Sequence, residues 1–140
     1  MARLNMETMK DVLTSKVDIS NIQTIYDIGC LNGSDSFLLS NLFNAKVIGF
    51  EGLPENYNKF LKNKNTENVT FHNMIIRNYD GKTSFFQKEQ NGIHSVFEQN
   101  LSKTKELLLE LNCSRMDTFI NSNKLPMPDL VKIDVEGATL

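Results

Sequence analysis

Apolar positions along the chain switch between two spacings, and the switches mark out its elements. Met6, Met9, Val12 and Leu13 recur at helical spacing in an otherwise polar segment, predicting a helix over 6–17. Thr24–Ile28 is a short, mostly apolar run of strand length. Ser34 and Asp35 stand where a helix would be capped, with Phe37, Leu38 and Leu42 as its inner face. Residues 46–51 read as a second strand, and Pro54 suits the first turn of a helix striped by Tyr57, Phe60 and Leu61. Residues 69–76 form a third apolar run. Asp80-Gly81 then signals a turn, from which 83–87 returns as a strand.

The second half is less regular. Residues 92–102 read as a loop. Over 106–113 the leucine content favours a helix, while alternation of Leu107, Leu109, Leu111 and Cys113 favours a strand with one buried face; the alternation is the better guide. Residues 116–121 suit a short helix. Pro126 and Pro128 interrupt the chain before 129–135, an apolar run expected as a central buried strand. The β-α-β-α-β order argues for an α/β fold with a doubly wound, mostly parallel sheet. With no repeat and no Pro/Gly/Ser linker, residues 1–140 are expected to form one domain.

Composition narrows the function. A formal net charge of −2 leaves no broad basic field for nucleic acid. The densest cationic group, Lys59, Lys62 and Lys64, suits a solvated helix face. Nowhere does the chain approach the about 18 apolar residues of a membrane span, and its start lacks a secretory core. Cys30 and Cys113 have no metal-like spacing. A soluble protein of the reduced cytoplasm, with neither membrane nor nucleic-acid partner, is the expectation.

The candidate chemistry lies where the first strand ends: Ile25-Tyr-Asp27-Ile-Gly29-Cys30-Leu31-Asn32-Gly33. A P-loop would need Gly-Lys-Ser/Thr, which is absent. A dinucleotide turn would need glycine where Leu31 stands, so NAD and FAD are disfavoured. The remaining pattern, Asp-x-Gly-x-x-x-Gly, has room for an amino-acid moiety and points to S-adenosylmethionine. Loop amides can address its carboxylate, and Asp27 can offset its positive charge. Glu51, ending the second strand, can accept hydrogen bonds from a ribose diol. Asn73, near the end of the third, can address an adenine edge. Each has a plainer reading: an Asp before a glycine turn also caps helices, and a strand-end Glu is often only surface. Their order at α/β spacing carries the assignment.

These pieces, with Asn68-Val69, the Asp80-Gly81 turn, Met116-Asp-Thr-Phe119 and Val131-Lys-Ile-Asp-Val-Glu-Gly-Ala138, resemble the FkbM family of S-adenosylmethionine-dependent methyltransferases from about Ile25 onward. The resemblance implies a Rossmann-like class I methyltransferase acting on a hydroxyl of a sugar or natural-product scaffold. It implies that Asp27, Gly29, Cys30, Leu31, Asn32, Gly33 and Glu51, with Gly52 and Leu53 beside it, line the cofactor site. Asp134 and Glu136 would lie at the mouth of the fourth strand, near the transferred methyl group. The family commonly has Ala and then Asn after its first glycine; here Cys30 and Leu31 precede Asn32. The full fold carries further strands after the fourth, so a chain ending at Leu140 is expected to be C-terminally incomplete. Its fourth strand would then lie at or near an open edge prone to self-association.

Methyl transfer from a sulfonium needs alignment, exclusion of water and, for a hydroxyl acceptor, a proton acceptor. Asp134 is the first candidate base and Glu136 the second, although strand-end carboxylates also merely orient loops. Asp117 could join them around a metal, but no metal site is expected. His94 reads as a loop bystander and His72 as a packed or edge residue. The alternative to an enzyme is a truncated, non-catalytic cofactor-binding or interaction domain of the same fold.

Overall fold

The computed structural model describes residues 5–88, 94–95 and 106–135. In chain order these form α1 (Met6–Thr14), β1 (Thr24–Ile28), α2 (Ser34–Phe43), β2 (Lys46–Phe50), α3 (Pro54–Asn56), β3 (Val69–His72), β4 (Ile75–Ile76), β5 (Gly81–Lys88), β6 (His94–Ser95), β7 (Glu106–Ser114), α4 (Met116–Asn123) and β8 (Leu130–Ile133). Two sheets result, ordered β3-β2-β1-β8 and β4-β7-β5-β6. The first is wholly parallel, with Asp27 beside Gly49 and Lys132, and Ile28 beside Phe50 and Ile133. This is the Rossmann-like α/β arrangement.

Alternation along β1 sorts its side chains onto two covered faces. Ile25 packs with Val47, Val69 and Phe71 against α1 and α2; Tyr26 and Ile28 pack with Ile48 and Phe50 against Phe119 and Ile120 of α4. Every β1 residue is therefore buried, as parallel strands flanked on both sides require. Asp129 ties the edge on: its carboxylate accepts from the backbone N–H groups of Gln23 and Thr24, each at 2.9 Å.

Four expectations change. The apolar run 69–76 is not one strand: it breaks at Asn73-Met74, and β4 leaves the parallel sheet to pair with β7. The strand after Asp80-Gly81 does not fold back onto β3. β5 pairs with β6 and β7, which builds the second sheet around Leu53, Ile75, Phe85 and Cys113. On α2, Phe37 and Leu42 do pack against the core, but its most buried face is Ser36, Leu39, Ser40 and Phe43, with both serines bonded inward, and Leu38 is exposed. Finally, β8 is an edge among the described strands, with Val131 and Ile133 43% and 52% exposed, since the α4 cluster stops short of them. The helix after Pro54 continues through Tyr57–Leu61 as a widened turn, closed by Lys62 N–H donating to Tyr57 O at 2.8 Å. Of the loop read over 92–102, only His94–Ser95 is described, as β6. Among the described residues no helix is long and apolar enough to cross a membrane.

Candidate functional site

A crevice opens where β1, β2 and β8 end together. Its floor is the turn from Gly29 to Gly33, which is stitched to β2 because the N–H groups of Gly29 and Cys30 both donate to Phe50 O, at 2.9 and 3.1 Å. Backbone handedness alternates along it: Gly29, Leu31 and Gly33 have φ of 81°, 50° and 79°, and Cys30 and Asn32 between them do not. With Leu31 N–H donating to Glu51 and Gly33 N–H to Cys30 O at 2.8 Å, four of the five amides of 29–33 are engaged in holding the turn itself. Gly29 has no substitute, since a Cβ there would lie 2.3 Å from the backbone oxygen of Asp134. Leu31 has no such freedom, and its left-handed conformation costs about 1–2 kcal/mol. The bond from its N–H to Glu51 Oε2, 2.9 Å long, helps hold it there.

Glu51 is the staple between the two walls. Its Oε1 accepts from Leu53 N–H at 2.9 Å while Oε2 holds the glycine turn, and the residue is only 7% exposed. Burial raises its pKa, against which the Leu53 and Leu31 amides and the neighbouring Asn56 side chain favour the charged form; the Asp27 charge adds to the rise. A carboxylate offers about four acceptor positions, so each oxygen keeps a lone pair for a further donor.

Asp27 lies beneath the turn, wholly buried. Its Oδ2 accepts from Ser36 Oγ at 2.6 Å, and its Oδ1 pairs with Lys132 Nζ at 2.9 Å. Lys132 also reaches Asp35, at 3.4 Å. Burial opposes the lysine's charge, but Asp27, by charge and hydrogen bond, with Asp35 and Asp134, outweighs it and holds the ammonium above the ordinary lysine pKa. Lys132 has no assigned role in the sequence reading, yet a signal was present. Two apolar strands each carry one opposite charge, and paired burial is the way such charges survive inside.

Asp134 is exposed at the tip of β8, anchored by its N–H to Ile28 O at 2.9 Å and packed against Gly29. Glu136 lies outside the described residues. Cys30 is buried, which pushes its thiol pKa far up, aided by the Asp27 and Glu51 charges, so it is no nucleophile. Asn32 makes a local turn, accepting from Ser34 N–H at 3.1 Å, and its carbonyl accepts from Lys64 Nζ at 2.8 Å. His72 stacks on Phe50, 5.7 Å between ring centres, and burial lowers its pKa. Asp117 pairs with Arg115 at the start of α4. Among the described residues no three His, Cys, Asp or Glu gather as a metal site.

Asn73 sits where the chain leaves β3 for the second sheet. Its amide nitrogen donates to Glu51 O at 2.8 Å and Gly52 O at 3.2 Å, bracing the residues after β2. Beside it a cavity of about 240 Å³ separates the crevice from the second sheet, with Gly52, Pro54 and Asn73 on one side. Lys82, Glu110 and Asn112 line the other, with Leu111 between them. The sequence reading missed this wall entirely, because it treated 83–87 as the return strand of a hairpin.

No curated protein matches the chain. A crystal structure of a "putative S-adenosylmethionine dependent methyltransferase" from Listeria monocytogenes aligns over 84% of this chain and 82% of that one, at 11% identity and a TM-score of 0.38, too loose a likeness to carry an argument. The Methyltransferase FkbM domain, by contrast, matches residues 27–140, from the acid of the glycine turn through β8. The chain belongs to the FkbM methyltransferase family.

Proposed function

We propose that the chain binds S-adenosylmethionine in this crevice and directs its methyl group to a hydroxyl of a sugar or other small-molecule acceptor, in the cytoplasm. The observation that carries the reading is Glu51, a buried carboxylate that ties the glycine turn to the next strand's loop and still has acceptor capacity facing the crevice. The residues fit the cofactor. The excess of acid around Lys132, from Asp27, Asp35 and Asp134, suits a cationic ligand. The cavity beyond Gly52 has room for a base.

When bound, S-adenosylmethionine supplies an already activated methyl group. The protein's share is to align and to manage a proton. Glu51 would accept from the ribose hydroxyls. Asp27 acts from beneath the turn, as a charge and through the positions of Lys132 and Ser36. Asp134, exposed at the β8 tip, is placed to take the proton of an acceptor hydroxyl, with Glu136 following it in sequence. No nucleic acid or membrane is invoked, in keeping with a net charge of −2.

Calorimetric titration tests the reading. S-adenosylhomocysteine should bind and NAD should not, and Glu51→Ala should abolish the signal. Binding of NAD in preference, or unchanged affinity in that variant, would remove the proposal. Transfer to oxygen is tested separately: with labelled donor and a panel of glycosides, Asp134→Asn should slow turnover without weakening S-adenosylhomocysteine binding.

A further inference from the structure

The turn at the floor of the crevice carries a chemically labile pair, Asn32-Gly33. In such a pair the glycine nitrogen can attack the asparagine side-chain carbonyl, because no Cβ shields the nitrogen and glycine has wide backbone freedom. Here neither partner is easily replaced. Gly33 has a φ of 79°, and a Cβ on it would lie 2.7 Å from the Phe71 ring. Asn32 Oδ1 accepts from both Ser34 N–H, at 3.1 Å, and Ser34 Oγ, at 2.8 Å, at the start of α2.

Those two bonds do more than shape the helix start. They point at the oxygen on which negative charge develops if the Gly33 nitrogen adds to Asn32 Cγ, as the donors of an oxyanion hole do. The electrophile is therefore primed. The nucleophile is restrained, because Gly33 is buried and its N–H donates to Cys30 O at 2.8 Å. That bond survives only while the turn keeps its shape. On one side of Asn32, Glu51 Oε2 holds Leu31 N–H at 2.9 Å; at Asn32 itself, the exposed Lys64 Nζ holds the backbone oxygen at 2.8 Å. Leu31, in its left-handed conformation, pulls against this latch, since release from Glu51 lets it relax.

We propose that Asn32-Gly33 is a latched self-modification site, at which opening of the turn lets the Gly33 nitrogen close onto Asn32 and disables the crevice. The atoms balance with water as the only co-reactant. The bond from Gly33 N to Asn32 Cγ forms as the Gly33 N–H proton leaves to solvent. The Cγ–Nδ2 bond then breaks, and Nδ2 takes a proton from water and departs as ammonia, leaving a succinimide ring. Water opens that ring at either carbonyl, giving an aspartyl or an isoaspartyl linkage. Both products add a negative charge to a turn that already has Asp27 beneath it and Glu51 bonded to it. The isoaspartyl form also lengthens the backbone by a carbon atom, which displaces Gly33 from Cys30 O. The proposal stands on the turn alone and does not require the cofactor.

Peptide mapping by mass spectrometry tests it, on ligand-free protein kept in mildly alkaline buffer. The chain's other such pair, Asn91-Gly92, lies outside the described residues and falls on a separate tryptic peptide. Conversion at Asn32, with isoaspartate among the products, should be roughly tenfold or more slower in native protein than in the same chain in urea. Two variants loosen the latch at different points: Glu51→Gln weakens the hold on Leu31, and Lys64→Ala removes an exposed side chain from Asn32 O. Each variant that remains folded by circular dichroism should convert several-fold faster than wild type. Equal rates in the native and denatured chain, or conversion in neither, would overturn the proposal, as would folded variants that react no faster than wild type. Because no ligand is present, each of these outcomes leaves the cofactor reading untouched.

Discussion

The two walls of the crevice are built on opposite uses of polar side chains. On the β1–β8 side, charges answer one another: Asp27 is fully buried and closed off by Ser36 and Lys132, and Lys132 is shared with Asp35. On the side of the second sheet, Lys82, Glu110 and Asn112 are left open toward a cavity. Internally paired groups cannot read a ligand, but they fix where backbone amides point. Open groups read a ligand and fix little. Glu51 sits between these regimes, closed on two amides and open on its remaining lone pairs. The contrast separates a wall held in place by its own charges from one whose polar side chains are exposed.

The strongest way to break that contrast is Lys132→Met. It strands a buried carboxylate, and removal of one partner from such a pair costs about 3–5 kcal/mol. Denaturant unfolding should show the loss. The pH dependence gives the sign. In the wild type, stability from Lys132 is complete below its ordinary pKa of 10.5 and is lost as pH rises through the higher folded value. The variant lacks that alkaline loss. A variant as stable as wild type would show the β1–β8 charges to be ornamental.

Gly29→Ala ranks next. The added Cβ meets Asp134 O at 2.3 Å, and the φ of 81° adds the left-handed penalty, so a loss of about 3 kcal/mol or more is expected. Because Asp134 is the neighbour that must move, S-adenosylhomocysteine binding should fall with stability. Gly33→Ala, whose Cβ meets Phe71 and Leu61 side chains that can shift, should cost less.

How far the sequence makes these walls legible follows from what each is made of. The paired wall lies on strands whose apolar runs were long enough to recognise, so β1, β2, the glycine turn and the strand-end Glu51 could be placed by spacing alone. What spacing cannot reveal is a partner about a hundred positions away, so Lys132 passed as one residue of a motif. The open wall failed for a different reason. Residues 69–76 read as a single, mostly apolar run of strand length, and nothing local says that Asn73 turns toward Glu51 and Gly52 and diverts the chain. Once β4 leaves, β5 has no strand to fold back on except β7, and a second sheet follows. The strand reading of 106–113 held because Leu109, Leu111 and Cys113 do face one side.

Glu51→Gln sharpens the boundary between the walls. Gln keeps one acceptor and turns an NH2 toward the other backbone amide, so one loop is released. Losing hydrogen bonds to a charged group should weaken S-adenosylhomocysteine roughly 10- to 100-fold by calorimetry. Stability moves the other way with pH. A carboxylate whose folded pKa is raised stabilises most below its ordinary value of 4.5 and loses that advantage as pH rises through the folded pKa. Relative to the Gln variant, the wild type should therefore weaken across that interval. A pH-independent difference would mean that burial of the charge is not the governing effect.

The smallest expected effect lies at the junction that presents β7 to the cavity. Asp80 accepts from Arg115 N–H at 2.8 Å, Ser114 Oγ at 2.9 Å and Thr118 Oγ1 at 3.0 Å, capping α4 from a distant turn. The Arg115 amide, followed by the Ser114 hydroxyl, holds its pKa below the ordinary carboxylate value. Its contribution is thus present above the ordinary pKa and disappears as pH falls through the lowered folded one. Asp80→Ala should leave the fold intact and speed hydrogen exchange at the Arg115 amide, an effect that fades in acid. Binding of S-adenosylhomocysteine should be nearly untouched, since the cap anchors the end of β7 and touches neither the glycine turn nor Glu51. If that affinity collapsed with the cap, the ligand would depend on how rigidly the second sheet is held, and the glycine turn with Glu51 would not be enough to hold it.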